Sequence, residues 1–111
     1  MRKYLLAAAA VGALLASSGG AFAEAVKLQL KWVTQAQFAG YYAAQENGYY
    51  ADLCLEVEIK EGAVEIVPQS ELANGNVDFA IAWVPKALQT REAGADIVDI
   101  AQIYARSGTL Q

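Results

Sequence analysis

The feature that most constrains the fold is an alternation of strand and helix patterns that begins near residue 25. Apolar residues occupy every second position over residues 26–32 and again over residues 55–59, which predicts two strands that each bury one face. Residues 79–84 are continuously apolar, as in a strand covered on both faces. Residues 97–104 are predicted to form a fourth strand.

Helix signals stand between these strands. Thr34 and Gln37 have the spacing of a capping box, and Gly48 can supply a left-handed terminal residue, so a helix is predicted to begin just after Thr34 and end near residue 47. Shorter helices are predicted over residues 69–73 and 85–92, each preceded by or starting at a proline. Alternating strands and helices indicate an α/β fold with a mostly parallel sheet, which residue 111 leaves incomplete at the C-terminus.

Residues 1–23 have the pattern of a secretory signal peptide. Two basic residues precede an apolar run, and Ala21-Phe22-Ala23 forms a cleavage site of small residues. The run is shorter than the roughly 20 residues that span a bilayer, which argues against the alternative of an uncleaved anchor. We therefore expect cleavage after Ala23 and a periplasmic product, residues 24–111.

Composition excludes several classes of function. The chain has 12 acidic and 8 basic residues, and two of the basic residues lie in the predicted leader, so binding to nucleic acid is not expected. It has no His and a single cysteine, Cys54. We therefore expect no metal site, no intramolecular disulfide and no Ser-His or Cys-His catalytic pair. Cys54 itself is expected to be a small buried apolar residue.

Two tryptophans follow predicted strands at the edge where parallel sheets bind ligands. Trp32 and Trp83 could together stack a planar heterocycle, and free N–H groups of the helix start after Thr34 could bind its polar atoms. Arg106 and Ser107 could donate hydrogen bonds from the loop after the fourth strand.

The alternative for each of these residues is a structural role. Trp32 continues the apolar parity of its strand and could belong to the core, and the same holds for Trp83. Phe38 and Tyr41 lie on one helical stripe, and such a stripe is more often core than ligand wall. A lone Arg106 could be a solvated charge.

Three segments carry a family resemblance: LQLKWVTQAQFAGYYAAQENGYY, LANGNVDFAIAWVP and IAQIYARSG. They resemble the solute-binding proteins of ABC importers in the sulfonate-binding and thiamine pyrimidine synthase-like group, over the N-terminal portion of a member. The resemblance implies a periplasmic-binding-protein type II-like lobe and a monomer without a cofactor. It would close with a second lobe on a ligand and deliver that ligand to a membrane permease.

The resemblance also implies a ligand class and a set of contacts. The subgroup with this aromatic block handles thiamine pyrimidine precursors, and relatives bind sulfonates, nitrate or riboflavin-type molecules. The implied ligand contacts are Trp32, Gln37, Phe38, Tyr41 and Trp83, with Arg106 and Ser107.

Two departures from the family pattern bear on function. The family usually has Gly where Cys54 stands. The pyrimidine synthases carry a cofactor-linked Lys and then a His where this chain has Ala82 and Lys86. Without a Lys at the first position, pyridoxal phosphate chemistry is not expected. The favoured interpretation is a binding protein rather than an enzyme, and the alternatives are a pyrimidine synthase-like enzyme and a non-functional fragment.

Overall fold

The computed structural model describes residues 22–104, which build on a three-stranded parallel sheet. The strands are β1 (Glu24–Gln29), β2 (Leu55–Lys60) and β3 (Phe79–Ala80), in the order β2-β1-β3. β1 pairs with β2 along its whole length and with β3 over two residues. This arrangement confirms the predicted parallel α/β architecture. The predicted signal peptide falls almost entirely, and Arg106 and Ser107 fall completely, outside the described residues.

In the described part of the chain, four short α-helices connect and follow the strands. They are α1 (Ala39–Glu46), α2 (Tyr49–Asp52), α3 (Pro68–Ala73) and α4 (Val84–Glu92). α3 and α4 confirm the two short helices predicted from proline positions, because each has its proline in the first turn, where no amide hydrogen is needed. Within residues 22–104, none of these helices is long and apolar enough to cross a membrane.

The predicted start of the first helix is wrong. Gln35 is extended, with φ −141° and ψ 163°, and a 3-10 turn (Ala36–Phe38) precedes α1. No side chain caps that turn. The side-chain Nε2 group of Gln37 instead donates to Oε1 of Gln35 over 3.0 Å. The capping box of Thr34 and Gln37 therefore does not form, because the chain stays extended past Thr34. The predicted helix end is confirmed, since Gly48 has φ 76°.

β1 buries more than the single face predicted for it. Leu28 and Gln29 at the end of β1 and Leu30 just after it are buried in succession: the two leucines pack in the core, and the Gln29 side chain is covered by the residues after β2 to which it donates hydrogen bonds. Leu28 and Leu30 pack with Phe38, and a shell of half-buried residues surrounds these three: Tyr41, Tyr42, Val57, Ile59 and Ile81. The core therefore lies between the sheet and α1.

The third strand is shorter than predicted, and the fourth is not formed. β3 covers two of the six residues predicted, although the Ile81 amide still donates to the Gln29 carbonyl over 2.9 Å. Residues 97–104 form no strand: Ile97 is buried, but Val98 and Ile100 are exposed. A strand needs a neighbour for its hydrogen-bond ladder, and in the described part of the chain these residues have no such ladder.

The turn before β2 contains a residue in an unfavourable backbone conformation. Cys54 has φ 56° and is exposed, so the expectation of a buried cysteine is wrong. Its carbonyl accepts a hydrogen bond from the Glu24 amide over 2.9 Å, which joins the turn to the start of β1. Cys54 is therefore in the left-handed conformation, which is strained for a residue that has a Cβ.

Replacing Cys54 with glycine should stabilise the fold. Glycine has no Cβ, so the left-handed conformation would no longer be strained, and we expect the free energy of unfolding to rise by about 1 kcal/mol. Urea unfolding followed by circular dichroism would measure it. Cys54→Ala is the matched control because it removes the thiol but keeps the Cβ, and it should give no gain. Equal stability of the two variants would contradict this account of Cys54.

Candidate functional site

A crevice lies at the carboxyl ends of the strands, where the chain leaves the sheet. It consists of two adjoining depressions of about 280 and 270 Å3 that share Lys31, Trp32 and Trp83. One depression is also lined by residues of the segment after β2, of the start of α3, and of the segment that runs from β3 into α4: Ala63, Val64, Ile66, Val67, Pro68, Gln69, Ala82 and Lys86. The other is completed by Gln35 and Gln37. The crevice is thus at the carboxyl edge of the sheet, where the alternation of strands and helices predicted a ligand site.

Trp32 stands at the rim of the crevice because the backbone reverses there. It has φ 58°, an unfavourable conformation for a bulky residue, and its side chain is 51 % exposed. The loop after β2 contacts this turn at Gly62. A Cβ at residue 62 would lie 2.5 Å from the carbonyl carbon of Lys31 and 2.8 Å from the amide nitrogen of Trp32. Only glycine allows the two backbones to approach so closely.

A buried amide side chain fixes the same junction from inside the sheet. The Nε2 group of Gln29 donates to the carbonyls of Leu30 at 2.9 Å and Glu61 at 3.0 Å, and Gln29 is 2 % exposed. A buried amide is tolerated when its hydrogen bonds are made, and here they tie the end of β1 to the residues after β2. Gln29 therefore helps to keep the turn at Trp32 next to the loop that contains Gly62.

Trp83 forms the opposite wall of the crevice. It immediately precedes α4, and its carbonyl accepts hydrogen bonds from the amides of Lys86 and Ala87, both over 3.0 Å. The indole is 57 % exposed. The ammonium nitrogen of Lys31 lies 4.4 Å from the centroid of the indole ring, a cation–π contact, and burial lowers the pKa of Lys31.

The predicted site residues fall into three groups. Trp32, Gln37 and Trp83 line the crevice together. Phe38 is 2 % exposed within the core, the half-buried Tyr41 lies beside it with ring centroids 6.5 Å apart, and neither residue lines either depression. Contact of these residues with a ligand stays a prediction, as does the part assigned to Arg106 and Ser107.

A tyrosine from the end of the described chain reaches the same region. The hydroxyl of Tyr104 donates to the Gln37 carbonyl over 3.4 Å, so the last residue of the predicted fourth strand approaches the crevice without being part of a strand. Burial, and then the neighbouring phenols of Tyr104 and Tyr50, raise the pKa of Tyr41. Tyr41 therefore stays neutral at physiological pH and can act only through its ring and its neutral hydroxyl.

The sequence did not predict the positions of Lys31 and Lys86 in the crevice or the burial of Gln29. Lys31 and Gln29 occupy the polar positions of an alternating strand, which predicts solvated side chains; neither is fully solvated, because β1 is central and the chain turns at Trp32. Lys86 lies in a segment that the strand-end rule selects, but the sequence assigns it no ligand contact, and it lines the crevice together with Ala82. The rule that places ligands at strand ends was the one signal that could have selected all of these positions.

Comparison with known proteins adds to this geometry. A family model described as NMT1/THI5 like matches residues 35–110. The chain belongs to this family. The matched range includes Gln37, Trp83 and the segment between them, and it begins after Trp32.

Two curated proteins are similar to this NMT1/THI5-like chain. A Haemophilus influenzae protein described as a thiamine biosynthesis protein is 29 % identical over 82 residues, covering 74 % of this chain and 26 % of its own length. A formylaminopyrimidine-binding protein from Halalkalibacterium halodurans is 29 % identical over 80 residues, covering 72 % of this chain and 24 % of its own. The chain thus spans about a quarter of the length of these relatives. No solved structure matches it significantly.

Proposed function

We propose that this chain is the N-terminal part of a periplasmic binding protein that supplies an ABC importer with a thiamine pyrimidine precursor or a similar small aromatic heterocycle. The observation that carries the proposal is a pair of half-exposed indoles, Trp32 and Trp83, that line one crevice at the carboxyl ends of a parallel sheet. Exposed tryptophans at a ligand-binding edge favour a flat aromatic partner. The Halalkalibacterium relative is a formylaminopyrimidine-binding protein, which supports the same ligand class.

In this proposal each residue has a defined part in binding. The indoles of Trp32 and Trp83 stack on the ring of the ligand, and the side-chain amides of Gln35 and Gln37 bind its polar edge. Phe38 and Tyr41 anchor the segment that follows Gln37 in the core. Arg106 and Ser107 would donate further hydrogen bonds from the segment that follows. Binding displaces water from the indole faces, and no covalent step is involved.

The wider architecture also belongs to the proposal. The described strands and helices would form part of a type II periplasmic-binding lobe, and the protein would act as a monomer that closes on its ligand and then docks to a permease. Export would depend on cleavage of the predicted leader after Ala23.

One observation on the crevice favours a binding protein over a synthase. The position where the family resemblance expects a cofactor-linked Lys is Ala82, whose methyl group lines the crevice and cannot form a Schiff base. Lys31 and Lys86 also line the crevice and could react with the aldehyde, so the test uses the Lys31→Gln, Lys86→Gln double variant, with which added pyridoxal phosphate should produce no aldimine absorbance band. A stoichiometric band would contradict the assignment as a binder.

Calorimetric titration of the 111-residue chain tests the ligand class. We expect heat of binding with hydroxymethylpyrimidine, with its formylamino precursor or with riboflavin, and none with taurine, which has no ring to stack between Trp32 and Trp83. Binding of taurine alone would overturn the stacking account. The absence of binding to all four compounds would leave the fragment interpretation standing.

A further inference from the structure

The charged side chains that line the crevice all have the same sign. They are Lys31 and Lys86, and no Asp or Glu lines either depression within residues 22–104. The chain as a whole is acidic, with 12 acidic and 8 basic residues and a net charge of −4. A purely positive site on an acidic protein concentrates anions there, while the surrounding surface repels them.

Lys86 stands where a positive charge is disfavoured by its own helix. It is in the first turn of the nine-residue helix α4, which has no acidic residue in that turn. The helix dipole places partial positive charge at this end, so a lysine there adds to a like charge instead of compensating it. An anion beside Lys86 would relieve that repulsion and meet both charges at once.

Lys31 is held at the crevice without a carboxylate partner. Its ammonium lies against Trp83, 4.4 Å from the ring centroid, and among the described residues no acidic side chain forms an ion pair with it. An ammonium that is partly withdrawn from water and satisfied only by an aromatic face gains most from an added anion.

We propose that the ligand of this crevice is a planar heterocycle that carries an anionic substituent, a carboxylate or a phosphate. This inference rests on the proposed function, because the ring is placed between Trp32 and Trp83. The anionic group lies at Lys31 and Lys86, and it draws the Lys31 ammonium away from the face of Trp83 on which the ring then stacks. The two lysines thus set specificity between charged and neutral forms of the same ring.

Matched ligand pairs test the charge preference. Hydroxymethylpyrimidine is compared with its monophosphate, and nicotinamide with nicotinate, by calorimetric titration of the 111-residue chain at low and high salt. A charged hydrogen bond predicts that the anionic member of at least one pair binds about tenfold more tightly, with the advantage shrinking as salt increases. A preference in the hydroxymethylpyrimidine pair identifies the anionic group as a phosphate, and a preference in the nicotinamide pair identifies it as a carboxylate.

Charge-removing variants locate the preference. Lys31→Gln and Lys86→Gln should each bring the anionic member to within about twofold of the neutral one, while Lys27→Gln, which changes an exposed lysine outside the crevice, should leave the preference intact. The salt dependence of the unchanged protein provides a readout that needs no variant to fold. Equal binding of both members of each pair overturns the anionic ligand but leaves the proposed function standing. No binding of any ring overturns both.

Discussion

Replacing Gly62 with alanine should lower the free energy of unfolding by about 3 kcal/mol, because the new Cβ meets backbone that cannot move independently. It would lie 2.5 Å from the Lys31 carbonyl carbon and 2.8 Å from the Trp32 amide nitrogen. Either the loop after β2 withdraws or the turn at Trp32 shifts, and both change the crevice. Urea unfolding followed by circular dichroism measures the effect.

Gly40→Ala is the matched control for this substitution. Gly40 lies in α1 with nothing within 4 Å of its potential Cβ, so the same change should be neutral or stabilise the helix by about 0.5 kcal/mol. If Gly62→Ala and Gly40→Ala have the same free energy of unfolding, the close contact between Gly62 and the turn at Trp32 does not exist.

Replacing Trp83 with leucine should weaken binding of the formylamino pyrimidine precursor by about tenfold or more, since stacking of one base on an aromatic side chain contributes roughly 1–3 kcal/mol. The fold should survive the change because the indole is 57 % exposed and lies outside the core cluster. Calorimetric titration gives the affinity, and thermal unfolding of the same samples shows whether the variant is intact.

Tyr49→Leu is the corresponding control for Trp83→Leu. Tyr49 is an exposed aromatic residue at the start of α2 and does not line the crevice, so its loss should leave affinity unchanged. Unaltered affinity in a folded Trp83→Leu variant would remove Trp83 from the site.

The sequence predicted the parts of this fold that local patterns determine. The alternation over residues 55–59 has the period of a half-buried strand and reappears as β2, and the prolines mark the starts of α3 and α4. The parts it failed to predict depend on distant neighbours. The continuous apolar run after residue 79 yields only a two-residue strand because pairing with β1 ends where the chain turns at Trp32, and residues 97–104 have the strand pattern but no paired neighbour.

The candidate site shows the same division. The alternation of strands and helices and the positions of the two tryptophans were enough to select the edge of the sheet and the walls at Trp32 and Trp83. Gln29 could not be identified as a buried support, because its role exists only when β1 is central and the carbonyl of Glu61 comes within 3.0 Å. The predicted capping box at Thr34 is wrong for a similar reason. The chain is left-handed at Trp32 and still extended at Gln35, so the helix begins later, and no local sequence pattern predicts that turn.

The central claim, that a planar ring stacks between the two indoles, is tested most directly by fluorescence of single-tryptophan variants. The sequence has two tryptophans, so Trp32→Phe leaves Trp83 as the sole emitter and Trp83→Phe leaves Trp32. Saturation with the formylamino pyrimidine precursor should quench the emission of both variants. Binding heat in the calorimeter with unchanged emission from both indoles would contradict the account.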